Sequence, residues 1–442
     1  MRFLMALVVM LLPATASAAA DLIYYGGTIE TLDASFRRVQ AIAVLKGKII
    51  AVGDYNHVAS YADKTTRYVN LRRRTLLPGF VDPHNHLFTI EAKAGMSFDQ
   101  TQQYLLTAGI TTLGELAVTE DHLDAMRAFH ATHRLYTRTS LYPVRNDACG
   151  EESAPFYLDF PPETNTSSRL RIPGIKIFTD GGSCNYPAST FDYPLPGGPV
   201  TGDLYFPETA VLHALIVEAQ DHGYQVALHA IGDLARDVAL DAIELALDGG
   251  ANTLRHRIEH TIWVRPDQIA RYAQLGVIAT GYIDRTCMTN AQMTPLINTM
   301  PAYAQAWYRP WAEMITAHVA LTWKSDLPGQ LSEDIIQHLY NIVTRREVDD
   351  DGTICQPPAW FAQTGNVTTG EALKMMTIAG AFALGMESVV GSLEVGKFAD
   401  FIVLSADPLA VAPADLKDLR VLSTVIGGVR HYCAPGNEWL CQ

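Results

Sequence analysis

The middle of the chain alternates short, largely apolar stretches with helical ones. Leu76–Val81, Ile110–Leu113, Leu135–Leu141, Ile175–Phe178, Gln225–Leu228, Arg257–Glu259, Val277–Thr280 and Ala320–Lys324 each read as a buried strand. Between them lie stretches with helical spacing, such as Ala210–His222 and Asp233–Asp248. Eight strands separated by helices predict an α/β fold, a parallel (β/α)8 barrel. The two ends of the chain differ from the middle. Leu22–Tyr25, Ala41–Leu45 and Ile49–Val52 read as strands, with Lys46-Gly47-Lys48 as a tight turn, and Asp400–Leu404 and Val421–Ile426 form a second short set.

Composition narrows the classes of function. Of 442 residues, 48% are hydrophobic and 18% charged, enough apolar surface for a large core and too much for a disordered chain. A formal net charge of −14 excludes a nucleic-acid partner, because phosphate neutralisation needs clustered Lys and Arg. Arg72-Arg73-Arg74 is read as a solvated turn.

Residues 1–20 have the pattern of a secretory signal: Arg2, the apolar run Phe3–Leu12, and the small-residue site Ala16-Ser17-Ala18. That run is too short to span a bilayer, and no later stretch offers about 18 uninterrupted apolar residues, so a periplasmic or secreted protein without a membrane partner is expected. Export matters for Cys149, Cys184, Cys287, Cys355, Cys433 and Cys441. In an oxidising compartment they permit disulfides, with Cys433–Cys441 the easiest pair; buried free thiols are the other reading.

Ionisable residues gather at the C-terminal ends of the predicted barrel strands, the edge that carries active sites in this architecture. His84 and His86 follow the first strand, Lys176 lies in the fourth, His229 ends the fifth, His260 the sixth, and Asp326 follows the eighth. Each has an ordinary alternative: a core histidine, a helix-capping aspartate, or a Lys176 salt bridge to Asp180. The functional reading of Lys176 is a desolvated amine that reacts with carbon dioxide to form a carbamate, an anionic ligand able to bridge two divalent cations. His256, at the start of its strand between two arginines, is read as structural.

Leu77-Pro78-Gly79-Phe80-Val81-Asp82-Pro83-His84-Asn85-His86, Leu228-His229-Ala230-Ile231-Gly232-Asp233 and Arg257-Ile258-Glu259-His260, with Lys176 and Asp326 in order, resemble the third family of the amidohydrolase superfamily, which includes N-substituted formamide deformylase-like enzymes. The resemblance runs from Asp21 to about Gly427. It implies a barrel over residues 77–388 and a small composite β-sandwich made of residues 21–76 and 389–432, followed by a tail, 433–442. It also implies two divalent metal ions, zinc by analogy: His84, His86 and Asp326 on the more buried one, His229 and His260 on the outer one, and carboxylated Lys176 between them. The reaction implied is hydrolysis of a non-peptide C–N bond in an amide or cyclic amide by a metal-activated hydroxide, with Asp326 as general base and acid.

Other chemistries on the same scaffold are a one-metal deaminase, a two-metal esterase, lactonase or phosphotriesterase, and a non-catalytic exported binding protein. Lys324 and the loop Thr179–Cys184 depart from the family pattern. Tyr186, Tyr282 and Arg285 are candidate contacts for a small-molecule substrate, Arg285 either to a substrate carboxylate or in a surface salt bridge. A homo-oligomer is compatible with the sequence.

Overall fold

The computed structural model describes residues 19–89, 95–195, 198–282, 300–328, 334–349, 351–357 and 367–441. The first eighteen residues, which carry the expected signal, lie outside the described residues, as do Arg285 and Cys287.

Eight parallel strands form the barrel: Phe80–Asn85, Ile110–Val118, Arg138–Pro143, Gly174–Phe178, Gln225–His229, Arg257–Glu259, Ile278–Gly281 and Leu321–Trp323. The first three pair in sequence, and strands four to eight pair in sequence. A parallel bridge between Val144 and Lys176 joins the two sets. The ring closes where Asp326 N donates to His84 O at 3.0 Å and His86 N donates to Leu327 O at 2.7 Å. Closure therefore brings the first-strand histidines beside the aspartate that follows the eighth strand.

The run Leu76–Val81, continuous as a hydrophobic pattern, divides at Gly79. Thr75–Pro78 belongs to a second sheet, and the barrel begins at Phe80. Gly79 N donates to Asp400 O and Phe80 N to Gly109 O, so consecutive amides serve different sheets. A Cβ at Gly79 would lie 2.2 Å from the Thr111 side chain, so only glycine fits this crossing. The third strand begins at Arg138 rather than Leu135. The helices run Thr209–Asp221 and Asp233–Leu247, the latter ending at Asp248 with φ 45°.

The second sheet draws on both chain ends. Its order is Val429–Cys433, Val421–Ile426, Phe401–Leu404, Thr75–Pro78, Leu22–Glu30, Arg38–Leu45 and Lys48–Gly53, with Arg67–Asn70 pairing in parallel with Leu22–Glu30. Leu22, Tyr24, Ile42, Val44, Leu76, Phe401 and Val425 bury together as its own core. Arg138 of the barrel forms a buried ion pair with Asp400 (Nε–Oδ2 2.6 Å), and Asp400 also accepts from Gly427 N, tying this sheet to the barrel. Disulfides join Cys433 to Cys441 and Cys149 to Cys184. The second bond staples the loops that follow barrel strands three and four. Among the described residues no helix is long and apolar enough to cross a membrane.

Candidate metal centre

The end of the first barrel strand presents two imidazoles to the barrel axis. His84 is fully buried, and its Nδ1 donates to Glu259 Oε2 at 2.6 Å. His86 donates from Nδ1 to Leu116 O at 3.0 Å. Each ring spends its proton on Nδ1, so both Nε2 atoms keep a free lone pair. These two nitrogens lie 3.2 Å apart, and Asp326 Oδ1 lies 3.1 Å from that of His84 and 3.6 Å from that of His86. The three ligand atoms fall within 4.8 Å of one another, the arrangement that a small divalent cation requires.

Strands four, five and six add a second group. Lys176 is buried, and its Nζ has no hydrogen-bond partner. The salt bridge to Asp180 is not formed: Asp180 instead accepts from the backbone N–H groups of Ile231, Gly232 and Ala188. Burial is the main cause that lowers the Lys176 amine to about 7; Glu259 and Asp326 oppose the shift, and Lys324 and Arg257 add to it. His229 donates from Nε2 to Gly181 O at 3.0 Å, leaving Nδ1 buried and unpartnered. His260 Nε2 is likewise buried without a partner, and its ring centroid is 4.3 Å from that of His229. Three buried nitrogens without hydrogen-bond partners thus lie in one region, and His229 Nδ1 among them keeps a free lone pair.

Electrostatics keeps the ligands in binding form. Burial lowers His84 to about 3 and holds His229 and His260 well below the usual imidazole range, so all three are neutral near pH 7. Burial alone would raise the Asp326 carboxyl, but the neighbouring Lys324 charge outweighs it and holds the group well below the usual carboxylate range. His260 and Asp326 both have left-handed backbone, φ 82° and 61°, which turns their side chains at the strand ends toward the centre.

Glu259 and Asp82 were not singled out by sequence reasoning, and Lys324 was noted only as a departure from the family pattern. Glu259 orients His84, receives a hydrogen bond from Thr280 Oγ1, and lies 3.0 Å from Arg257 Nε. Asp82 accepts from Ser325 N and Oγ and from Asn85 Nδ2, locking strand one to strand eight. Lys324 projects into the centre: its Nζ is 3.1 Å from Asp326 Oδ1, 2.9 Å from His260 Nδ1, and 3.3 and 3.5 Å from the two ring nitrogens of His84. The available signal was the place of Glu259 next to His260, and a lysine two residues before Asp326.

Of the candidate substrate contacts, Tyr282 is buried with its ring 5.7 Å from that of His260. The Arg309 guanidinium lies 4.5 Å from the Tyr282 ring centroid. Tyr186 is exposed and packs against Tyr193 at 5.6 Å. Arg285 lies outside the described residues. His256 is structural, accepting from Val226 N through Nδ1.

The sequence profile of the amidohydrolase family matches residues 89–432. The chain belongs to that family. Among curated relatives, N-substituted formamide deformylase from Arthrobacter pascens is 30% identical over 277 residues, covering 61% of this chain and 47% of the relative. An imidazolonepropionase from Symbiobacterium thermophilum is 25% identical over 416 residues, covering 83% of each chain. The chain spans about half the length of the first curated relatives it matches, 47% of the deformylase and 56% of the protein LONG AFTER FAR-RED 3 of Arabidopsis thaliana. An uncharacterised metal-dependent hydrolase from Pyrococcus horikoshii shares the fold, with a TM-score of 0.74, 19% identity, and coverage of 89% of this chain and 99% of that one.

Proposed function

We propose that this amidohydrolase-family chain is an exported, metal-dependent hydrolase of a small-molecule amide or cyclic amide, cleaving a C–N bond other than an ordinary peptide bond. The observation that carries the reading is the convergence of His84 Nε2, His86 Nε2 and Asp326 Oδ1 on one point, beside the unpartnered nitrogens of Lys176, His229 and His260. His84, His86 and Asp326 would hold one divalent ion, preferably zinc, and Lys176, His229 and His260 a second. Bound zinc supplies Lewis acidity toward the substrate carbonyl and lowers the pKa of water.

The protein groups do the rest. An amine lowered to about 7 is substantially neutral at physiological pH, so Lys176 Nζ can attack carbon dioxide. An N–C bond forms as one C=O π pair of carbon dioxide moves onto oxygen, one N–H proton passes to water, and an anionic carbamate replaces the buried amine. Asp326, held ionised beside Lys324, accepts a proton at its carboxylate and delivers it to the departing nitrogen. Tyr186, Tyr282 and Arg285 are the proposed substrate contacts. The deformylase relative, whose name specifies an N-substituted formamide, supports the amide class.

A hydrolysis screen of zinc-loaded protein against formamides, N-acyl amino acids, cyclic amides and lactones tests the reading. Turnover of an amide that is abolished by chelation and restored by zinc is expected. Turnover of lactones alone, or amide turnover indifferent to chelator, would overturn it. Export is tested in the same preparation, where mass spectrometry of secreted protein should show a new N-terminus near residues 18–20.

A further inference from the structure

The four histidines of the centre do not have equivalent second partners. His84 faces the Glu259 carboxylate, His86 the Leu116 carbonyl and His229 the Gly181 carbonyl. Each of these partners is an acceptor, so each ring carries its proton there and leaves its other nitrogen free. His84 Nδ1 also lies 3.3 Å from Lys324, but the shorter 2.6 Å contact with an opposite charge sets its tautomer. His260 is the exception. Its Nδ1 faces Lys324 Nζ at 2.9 Å, and that Nζ is ion-paired with Asp326 Oδ1 at 3.1 Å, which favours the ammonium, a group with three donors and no lone pair. Nδ1 must then accept, the proton of the neutral ring sits on Nε2, and Nε2 has no lone pair for a metal.

The same ammonium is 3.1 Å from Asp326 Oδ1, is fully buried, and shares the barrel interior with Lys176. A cation at this point repels a second cation more strongly than it would in water, because burial removes screening.

Resting on the metal-dependent reading above, we infer that Lys324 is a resident cation that makes the two metal positions unequal. One divalent ion is held tightly by His84, His86 and Asp326. The position served by Lys176, His229 and His260 is weak for as long as Lys324 occupies His260 Nδ1. The lysine stands in for part of the charge that a second metal would bring, and it does so without being a metal ligand.

The test counts zinc rather than turnover. Apoprotein is dialysed against a series of buffered free zinc concentrations and analysed for metal, using wild type, Lys324→Met and Lys324→Arg. Wild type should hold about one ion tightly and take up a second only at about 100-fold or more higher free zinc, whereas Lys324→Met should approach two ions in a single range. Lys324→Arg keeps charge and donors and should stay at one. Nitrogen NMR of the imidazole rings of metal-free wild type should show the proton of His260 on Nε2. This measurement and the wild-type zinc count decide the matter even if Lys324→Met does not fold.

Two tightly held ions in wild type, a proton of His260 on Nδ1, or an unchanged zinc curve in folded Lys324→Met would each overturn the inference. Loss of the tight ion in that variant would also overturn it, by making Lys324 a ligand. If none of the proteins retains zinc, the metal-dependent reading itself falls.

Discussion

Glu259 orients His84 without being a proposed ligand, so its replacement perturbs the centre at one remove. In Glu259→Ala the 2.6 Å contact from His84 Nδ1 is lost. A hydrogen bond to a charged group contributes about 1.5–3 kcal/mol. At about 1.4 kcal/mol per decade, that loss weakens zinc binding about 10- to 150-fold. Glu259→Gln keeps an acceptor but no charge, and a charge-assisted bond is roughly twice as strong as a neutral one, so its loss should be nearer tenfold. Both variants also remove the carboxylate 3.0 Å from the buried Arg257 guanidinium. Leaving that charge unpaired should cost the apoprotein about 3–5 kcal/mol. Zinc affinity would be measured by chelator competition, at a temperature where circular-dichroism melts show every variant folded. The expected order of affinity is wild type, then Gln, then Ala. Equal affinity in all three would refute the argument, and reduced stability with unchanged affinity would mean that Glu259 serves Arg257 alone.

Two further outcomes follow from buried ionisable groups. Lys176→Ala should fold but lose the weaker zinc position and about 100-fold or more of hydrolysis; Lys176→Arg should not restore either, because a guanidinium cannot lose its proton to become a carbamate. Full activity and unchanged zinc uptake in Lys176→Arg would exclude the carbamate. Glu115 is buried, accepts from Thr89 N and Oγ1 on one oxygen, and has no hydrogen-bond partner on the other. Burial is the main cause that raises its carboxyl to about 8. The folded state thus binds this proton more tightly than the unfolded one, so the contribution to stability is complete below about pH 4.5 and is lost as pH rises through about 8. Glu115→Gln should match wild type near pH 5 and exceed it near pH 9 by about 4 kcal/mol in urea unfolding. A constant difference between the two proteins across that range would count against a protonated Glu115.

Much of this molecule is legible in one dimension. Short apolar runs between helical stretches identify many of the barrel strands, because a strand covered on both faces has little solvent side on which to place polar residues. The ionisable residues at those strand ends, His84, His86, Lys176, His229, His260 and Asp326, stand out because such groups are rarely placed in apolar strands without a partner. Other features depend on which segments the closed barrel brings together. The run Leu76–Val81 is uniformly apolar, yet it serves two sheets, since hydrophobicity does not report which neighbour each amide finds.

The partners of the ligands are the least visible in the sequence. Glu259 meets His84 across 175 residues, and Lys324 meets His260 across 64 and His84 across 240. The sequence by itself determined that a glutamate ends the sixth barrel strand and that a lysine stands two residues before Asp326 at the end of the eighth. Only barrel closure decided that one carboxylate and one ammonium face two different imidazoles. A ring's tautomer follows from whether its neighbour donates or accepts, and that neighbour is supplied by a distant strand.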